Sequence, residues 1–121
     1  MNIFFDIDLT IVSASYELRP HTREVMESLK TAGHKVYLWS MGGKDFAESM
    51  VARHDLHELV EGCLDKRDPL DIHPDLCIDD EPYYVNTYGG HVVSWYLMNS
   101  DHDREMLRVL QQVLSEAEEE L

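Results

Sequence analysis

The chain has 121 residues and a formal charge of −14, from 24 acids against ten lysines and arginines, with 44 % hydrophobic and 28 % charged residues. That length suits a single domain over residues 1–121 with a core of its own, and the composition is that of a globular protein rather than a disordered or fibrous one. The charge excludes a nucleic-acid polymer as partner, since phosphate backbones are met by Lys and Arg, and no run approaches the roughly 18 apolar residues of a membrane span.

In chain order, "NIFFDI" over residues 2–7 reads as a buried strand, and "LTIVSASYELRP" as an irregular or hairpin-like excursion ending at Pro20. "HTREVMESLKTAG" sets Val25, Met26, Leu29 and Ala32 at helical spacing, with Pro20 near its start and Gly33 at its stop. "KVYLWS" is a second buried strand ending at Ser40, and "KDFAESMVARHDL" a second helix with Phe46, Met50 and Val51 inward. A brief strand is expected over 62–64, then a loop with Pro69 and Pro74. "DLCIDDEP" gives another strand ending in acids, stopped by Pro82. "HVVSWYLM" supplies a last strand after Gly89 and Gly90. The final segment reads as an amphipathic helix capped by Asn99 or Ser100, with Met106, Leu110, Val113, Leu114 and Ala117 inward and "EAEEE" as its solvated end. Trp39 and Trp95, both within strands, are expected in the core.

Strands alternating with helices imply right-handed crossovers and an α/β fold, a three-layer α/β/α sandwich around a mainly parallel sheet. Parallel strands place their carboxyl ends along one edge, where such folds bind ligands. Asp6, Ser40, Asp79 and Asp80 therefore converge from three strand ends. Carboxylates gathered in this way repel unless protons or a cation compensate, and hard Mg²⁺ suits oxygen ligands. Taken alone, Asp6 and Asp8 are better explained by solvation at the sheet edge than by catalysis. Cys63 and Cys77 show no metal-ligand spacing and read as reduced core thiols. His54, Asp55 and His57, like Asp101, His102 and Asp103, fit helix surfaces and caps better than metal sites.

Four motifs in order resemble the haloacid-dehalogenase superfamily of phosphohydrolases. They are Asp6-Ile7-Asp8-Leu9-Thr10 after an apolar strand, "VYLWS" ending at Ser40, Lys66 in "LDKRDP", and "LCIDD" with Asp79 and Asp80. The match spans residues 3 to 80. The resemblance implies a Rossmann-like fold and a Mg²⁺-dependent phosphatase that forms an aspartyl-phosphate on Asp6, with Asp8 as general acid and base. It implies that Mg²⁺ is held by Asp6, the Asp8 backbone carbonyl and the acidic pair, with Asp80 the direct ligand and Asp79 behind it. Ser40, with the backbone N–H groups of Met41 and Gly42, would hold the phosphoryl group, Thr10 would orient Asp6, and Lys66 would neutralise charge. Arg67 and Lys44 compete with Lys66 for that role.

A phosphotransferase using the same intermediate, or a non-catalytic Mg²⁺- and phosphate-binding regulatory domain, stands as the alternative. The short span after Thr10 resembles a capless family member. An open site of that type suits a phosphorylated small molecule, possibly a nucleotide, or a phosphoprotein, and a homodimer built on an apolar edge could cover it. Tyr83, Tyr84 and Tyr88 follow the acidic pair and either wall the pocket or pack. With no basic n-region followed by an apolar core, a cytoplasmic location is expected.

Overall fold

A computed structural model describes residues 1–119. Its elements in chain order are β1 (Asn2–Asp6), α1 (Thr22–Thr31), β2 (Lys35–Ser40), α2 (Lys44–Arg53), β3 (Gly62–Asp65), β4 (Leu76–Asp79), α3 (Pro82–Tyr88), β5 (Gly90–Val92) and α4 (Glu105–Glu119). The five strands form one all-parallel sheet in the order β3-β2-β1-β4-β5, a Rossmann-like α/β arrangement.

Alternation along β1 sends Ile3 and Phe5 to one face, where they are fully buried with Val25, Met26 and Leu29 of α1, Met50 and Val51 of α2, and Met106, Val109 and Val113 of α4. Each such side chain contributes roughly 1.5–3 kcal/mol on burial, so this face holds most of the core. Phe4 points the other way and packs with Tyr37, Trp39 and Cys77 under Leu70, Ile72 and Tyr84 and Tyr88 of α3. That second layer is thin, being one seven-residue helix and the irregular 66–75 segment.

The order of connection fixes where the site falls. From β1 the chain steps outward through β2 to β3, then returns to β4 on the opposite side of β1 and steps outward again to β5. The direction reverses between β1 and β4, and in open parallel sheets the crevice beyond such a reversal is where ligands bind. Phe5 pairs with Ile78, so the residues that follow, Asp6 and Asp79, end adjacent strands side by side.

Four details differ from the sequence reading. Pro82 starts α3 rather than simply ending a strand, because a proline at the first helical position gives up an N–H that would have no partner there. The last strand is only Gly90–Val92, and beyond it the chain leaves the sheet, so Trp95 is 63 % exposed instead of core. The final helix starts at Glu105, where Asp103 Oδ1 accepts from the Glu105 N–H at 3.2 Å, not at Asn99 or Ser100. Ala32 is exposed at the end of α1, and Leu114 and Ala117 are only half-buried on α4, whereas Leu110, also half-buried, packs against the core as expected. Of the acidic tail, Glu118 and Glu119 are exposed, while Glu120 lies outside the described residues.

Candidate active site

The backbone after β1 turns at once. The Ile7 carbonyl accepts from the N–H groups of Thr10 (3.2 Å), Ile11 (3.0 Å) and Val12 (3.2 Å), and Leu9 adopts the left-handed region at φ 63°. A leucine reaches that conformation only at a cost, so the turn is held by its surroundings. It folds Thr10 back under Asp6, and Thr10 Oγ1 lies 3.0 Å from Asp6 Oδ2.

The same hydroxyl lies 3.0 Å from Asp80 Oδ1 and accepts from the Asp80 N–H at 3.0 Å. A hydroxyl has one hydrogen to give, so it cannot satisfy both carboxylates, and positive charge is short at this point. Oxygens of Asp6, Asp79 and Asp80 all lie within 4.8 Å of one another. Burial, together with the Asp80 and Asp79 carboxylates, outweighs Lys66 and raises the Asp6 pKa to about 8. Burial likewise raises Asp79. An all-oxygen set carrying more negative charge than its neighbours compensate fits a hard divalent cation.

Lys66 provides the local cation. Its Nζ lies 2.8 Å from Asp6 Oδ1 and 2.7 Å from Asp79 Oδ2, and the side chain is 5 % exposed. Its ammonium is also 4.7 Å from the Tyr84 ring centre and 5.5 Å from that of Trp39, a cation–π enclosure that fixes a flexible side chain. The competing cations are placed elsewhere: Arg67 pairs with Asp65, and Lys44 is exposed beside Glu48.

Ser40 ends β2 and is buried. Its Oγ accepts from the Gly42 N–H at 2.9 Å, and its carbonyl accepts from Gly43 and Lys66. The Gly42 N–H is therefore engaged in closing the β2–α2 turn, and not turned toward a ligand as expected from sequence. Asp8 stands apart from the three-carboxylate cluster, exposed at the rim of the same cavity, with its pKa raised by burial and by Asp80.

That cavity, about 430 Å³, is lined by Asp6, Asp8, Ser40, Lys66, Asp79 and Asp80, with Met41, Glu81, Tyr83 and Tyr84 around them. A larger one of about 740 Å³ runs along the edge strand β3 past Lys44, Glu48 and Cys63 and shares no lining residue with it. Size is the weaker criterion here, because the convergent charged groups lie in the smaller cavity. Tyr88 faces a third cavity with His73 and Trp39. Burial pushes the Cys63 thiol up to about 11 and the Cys77 thiol to about 12, which keeps both unreactive.

Arg19 is the residue that sequence reasoning missed. It is 1 % exposed, and its five N–H groups meet Asp103 Oδ1 (2.8 Å) and Oδ2 (2.9 Å), the carbonyls of Thr10 (3.1 Å) and Ser94 (2.8 Å), and Ser94 Oγ (3.0 Å). It thereby ties the Thr10 turn to the chain that follows β5. No local pattern marks it, since its partner is 84 residues away. Comparison with protein-family models and with curated proteins finds no match for the chain.

Proposed function

We propose that the protein is a Mg²⁺-dependent phosphomonoester hydrolase of the haloacid-dehalogenase type, acting on a phosphorylated small molecule in the cytoplasm. The observation that carries this reading is the bridge of Lys66 Nζ between Asp6 and Asp79, at 2.8 and 2.7 Å, inside a three-carboxylate cluster at the strand ends. A carboxylate that attacks a dianionic phosphoryl group needs fixed positive charge beside it, and here Lys66 is buried between two carboxylates, Asp6 and Asp79.

Asp6 attacks phosphorus in line, forming a P–O bond as the ester P–O bond breaks, and Asp8 gives its proton to the departing alkoxide. Asp8, now ionised, takes a proton from water, whose oxygen displaces Asp6 and releases inorganic phosphate. Burial and the neighbouring Asp80 carboxylate raise the Asp8 pKa, the direction that suits a proton donor. Thr10 orients Asp6, and Ser40, whose Oγ accepts from Gly42, has its own hydrogen to give to a phosphoryl oxygen. Asp6 and Asp80, with the Asp8 carbonyl, would hold Mg²⁺, which when bound offsets charge on the phosphoryl oxygens; Asp79 is held by Lys66 and the Glu81 N–H instead.

A phosphatase panel run with Mg²⁺, with EDTA and with Asp8→Ala tests the reading. Metal-dependent release of phosphate that Asp8→Ala abolishes is expected. Mg²⁺ binding without turnover on any ester would favour a regulatory binding domain, and transfer to an added alcohol in place of water would favour a phosphotransferase.

A further inference from the structure

The cavity that holds the carboxylates has one apolar wall. Tyr83, the second residue of α3, is 69 % exposed, and Met41 is 58 % exposed, yet both line the cavity that contains Asp6 and Asp8. Neither packs into the core. The Tyr83 ring stands edge-on against Tyr84, with centroids 4.9 Å apart and planes at 86°. Tyr84 is bound on both sides, its ring by the Lys66 ammonium at 4.7 Å and its hydroxyl by Met41 Sδ at 3.9 Å. The aromatic face left to meet a ligand is that of Tyr83.

The charges around this wall narrow what it can take. Asp8, Asp80 and Glu81 line the same cavity, so a leaving group carrying a carboxylate or a second phosphate is repelled. Exposed apolar side chains beside an acid/base group favour a flat, uncharged group over a polyol, which would keep its water. We infer that Tyr83, backed by Tyr84 and Met41, forms the leaving-group subsite, and that the substrate is a phosphomonoester of an alcohol bearing an uncharged aromatic ring. The inference rests on the hydrolase reading above and names the substrate class of the same site.

Benzyl phosphate and cyclohexylmethyl phosphate carry the same charge and nearly the same leaving-group basicity, and differ in whether the ring is aromatic. The native protein with Mg²⁺ should favour the benzyl ester by about three- to tenfold in kcat/KM, mostly through KM, the scale on which an aromatic pair adds to area burial. Tyr83→Leu should bring the ratio close to one, and Tyr83→Phe should keep it. A native ratio near one, or one unchanged by Tyr83→Leu, overturns the inference. If neither ester is hydrolysed, calorimetry with benzylphosphonate and cyclohexylmethylphosphonate in Mg²⁺ separates the two ideas. Tighter binding of the benzyl compound that Tyr83→Leu removes keeps the subsite and overturns the hydrolase reading; equal binding overturns the subsite.

Discussion

Arg19 grips the Asp103 carboxylate through two parallel hydrogen bonds, Nε to Oδ1 at 2.8 Å and Nη2 to Oδ2 at 2.9 Å, with the guanidinium wholly buried. Removing one member of such a pair leaves the other group buried without its partner. Arg19→Met should therefore destabilise the protein by about 3–5 kcal/mol in urea unfolding. Because Arg19 also holds the Thr10 carbonyl, the folded fraction of this variant should bind Mg²⁺ more weakly than the native protein.

Lys66 faces two carboxylates and two aromatic rings, so its substitutions separate charge from shape. Lys66→Met should lower kcat by roughly 10²–10³-fold at saturating Mg²⁺ while the protein stays folded. Lys66→Arg should recover little of this, since a planar guanidinium is too broad for the gap between Asp6, Asp79 and the Trp39 and Tyr84 rings. Steady-state kinetics of the two variants reads the difference.

The Asp6 pKa gives a pH signature. It is raised from 3.8 to about 8 in the folded protein without metal, so between these values the folded state holds a proton that the unfolded state has released. Its contribution to stability is full below the unfolded pKa and is lost as pH rises through that window. Mg²⁺ must displace the proton, so its affinity should rise between about pH 6 and about pH 8, with proton release. Thermal unfolding with and without EDTA should show the metal stabilising most at the alkaline end. Calorimetry in buffers of different ionisation enthalpy counts the proton directly.

Gly90 is a point where the backbone admits no side chain. A Cβ there would fall 1.9 Å from the Cys77 carbonyl oxygen, and φ is +129°. Gly90→Ala should cost at least about 3 kcal/mol or prevent folding, whereas Gly33→Ala, at φ +91° with nothing within 4 Å, should cost only about 1 kcal/mol. Denaturant midpoints of the pair test whether β5 is locked to β4 as closely as the structure has it.

The sheet edge was legible because each strand announces its end: "IFF" stops at Asp6, "VYLW" at Ser40 and "LCI" at Asp79. Parallel topology does the rest, bringing those ends to one place. The cation is named by the motif resemblance alone, which points to Lys66 but leaves Lys44 and Arg67 as competitors; it takes the tertiary fold to turn Lys66 onto Asp6 and Asp79 and the other two away. The strand over "HVVSWYLM" was overextended because an apolar run carries no mark of where its ladder ends. Its tail instead bonds to the loops after β1, with the Tyr96 N–H to Leu9 and the Ala14 N–H to the Leu97 carbonyl. Arg19 was silent for the same reason: its five partners are assembled only by tertiary structure.

The most direct test of the central claim is to look for phosphate on Asp6. The protein is mixed with Mg²⁺ and a readily hydrolysed aryl phosphate, quenched in acid within the first turnover, digested and mapped by mass spectrometry. The expected result is one acid-stable, alkali-labile phosphoryl group on the peptide containing Asp6, which accumulates in Asp8→Asn and is absent from Asp6→Asn. Full turnover by Asp6→Asn, or turnover by the native protein with no such adduct, would contradict it.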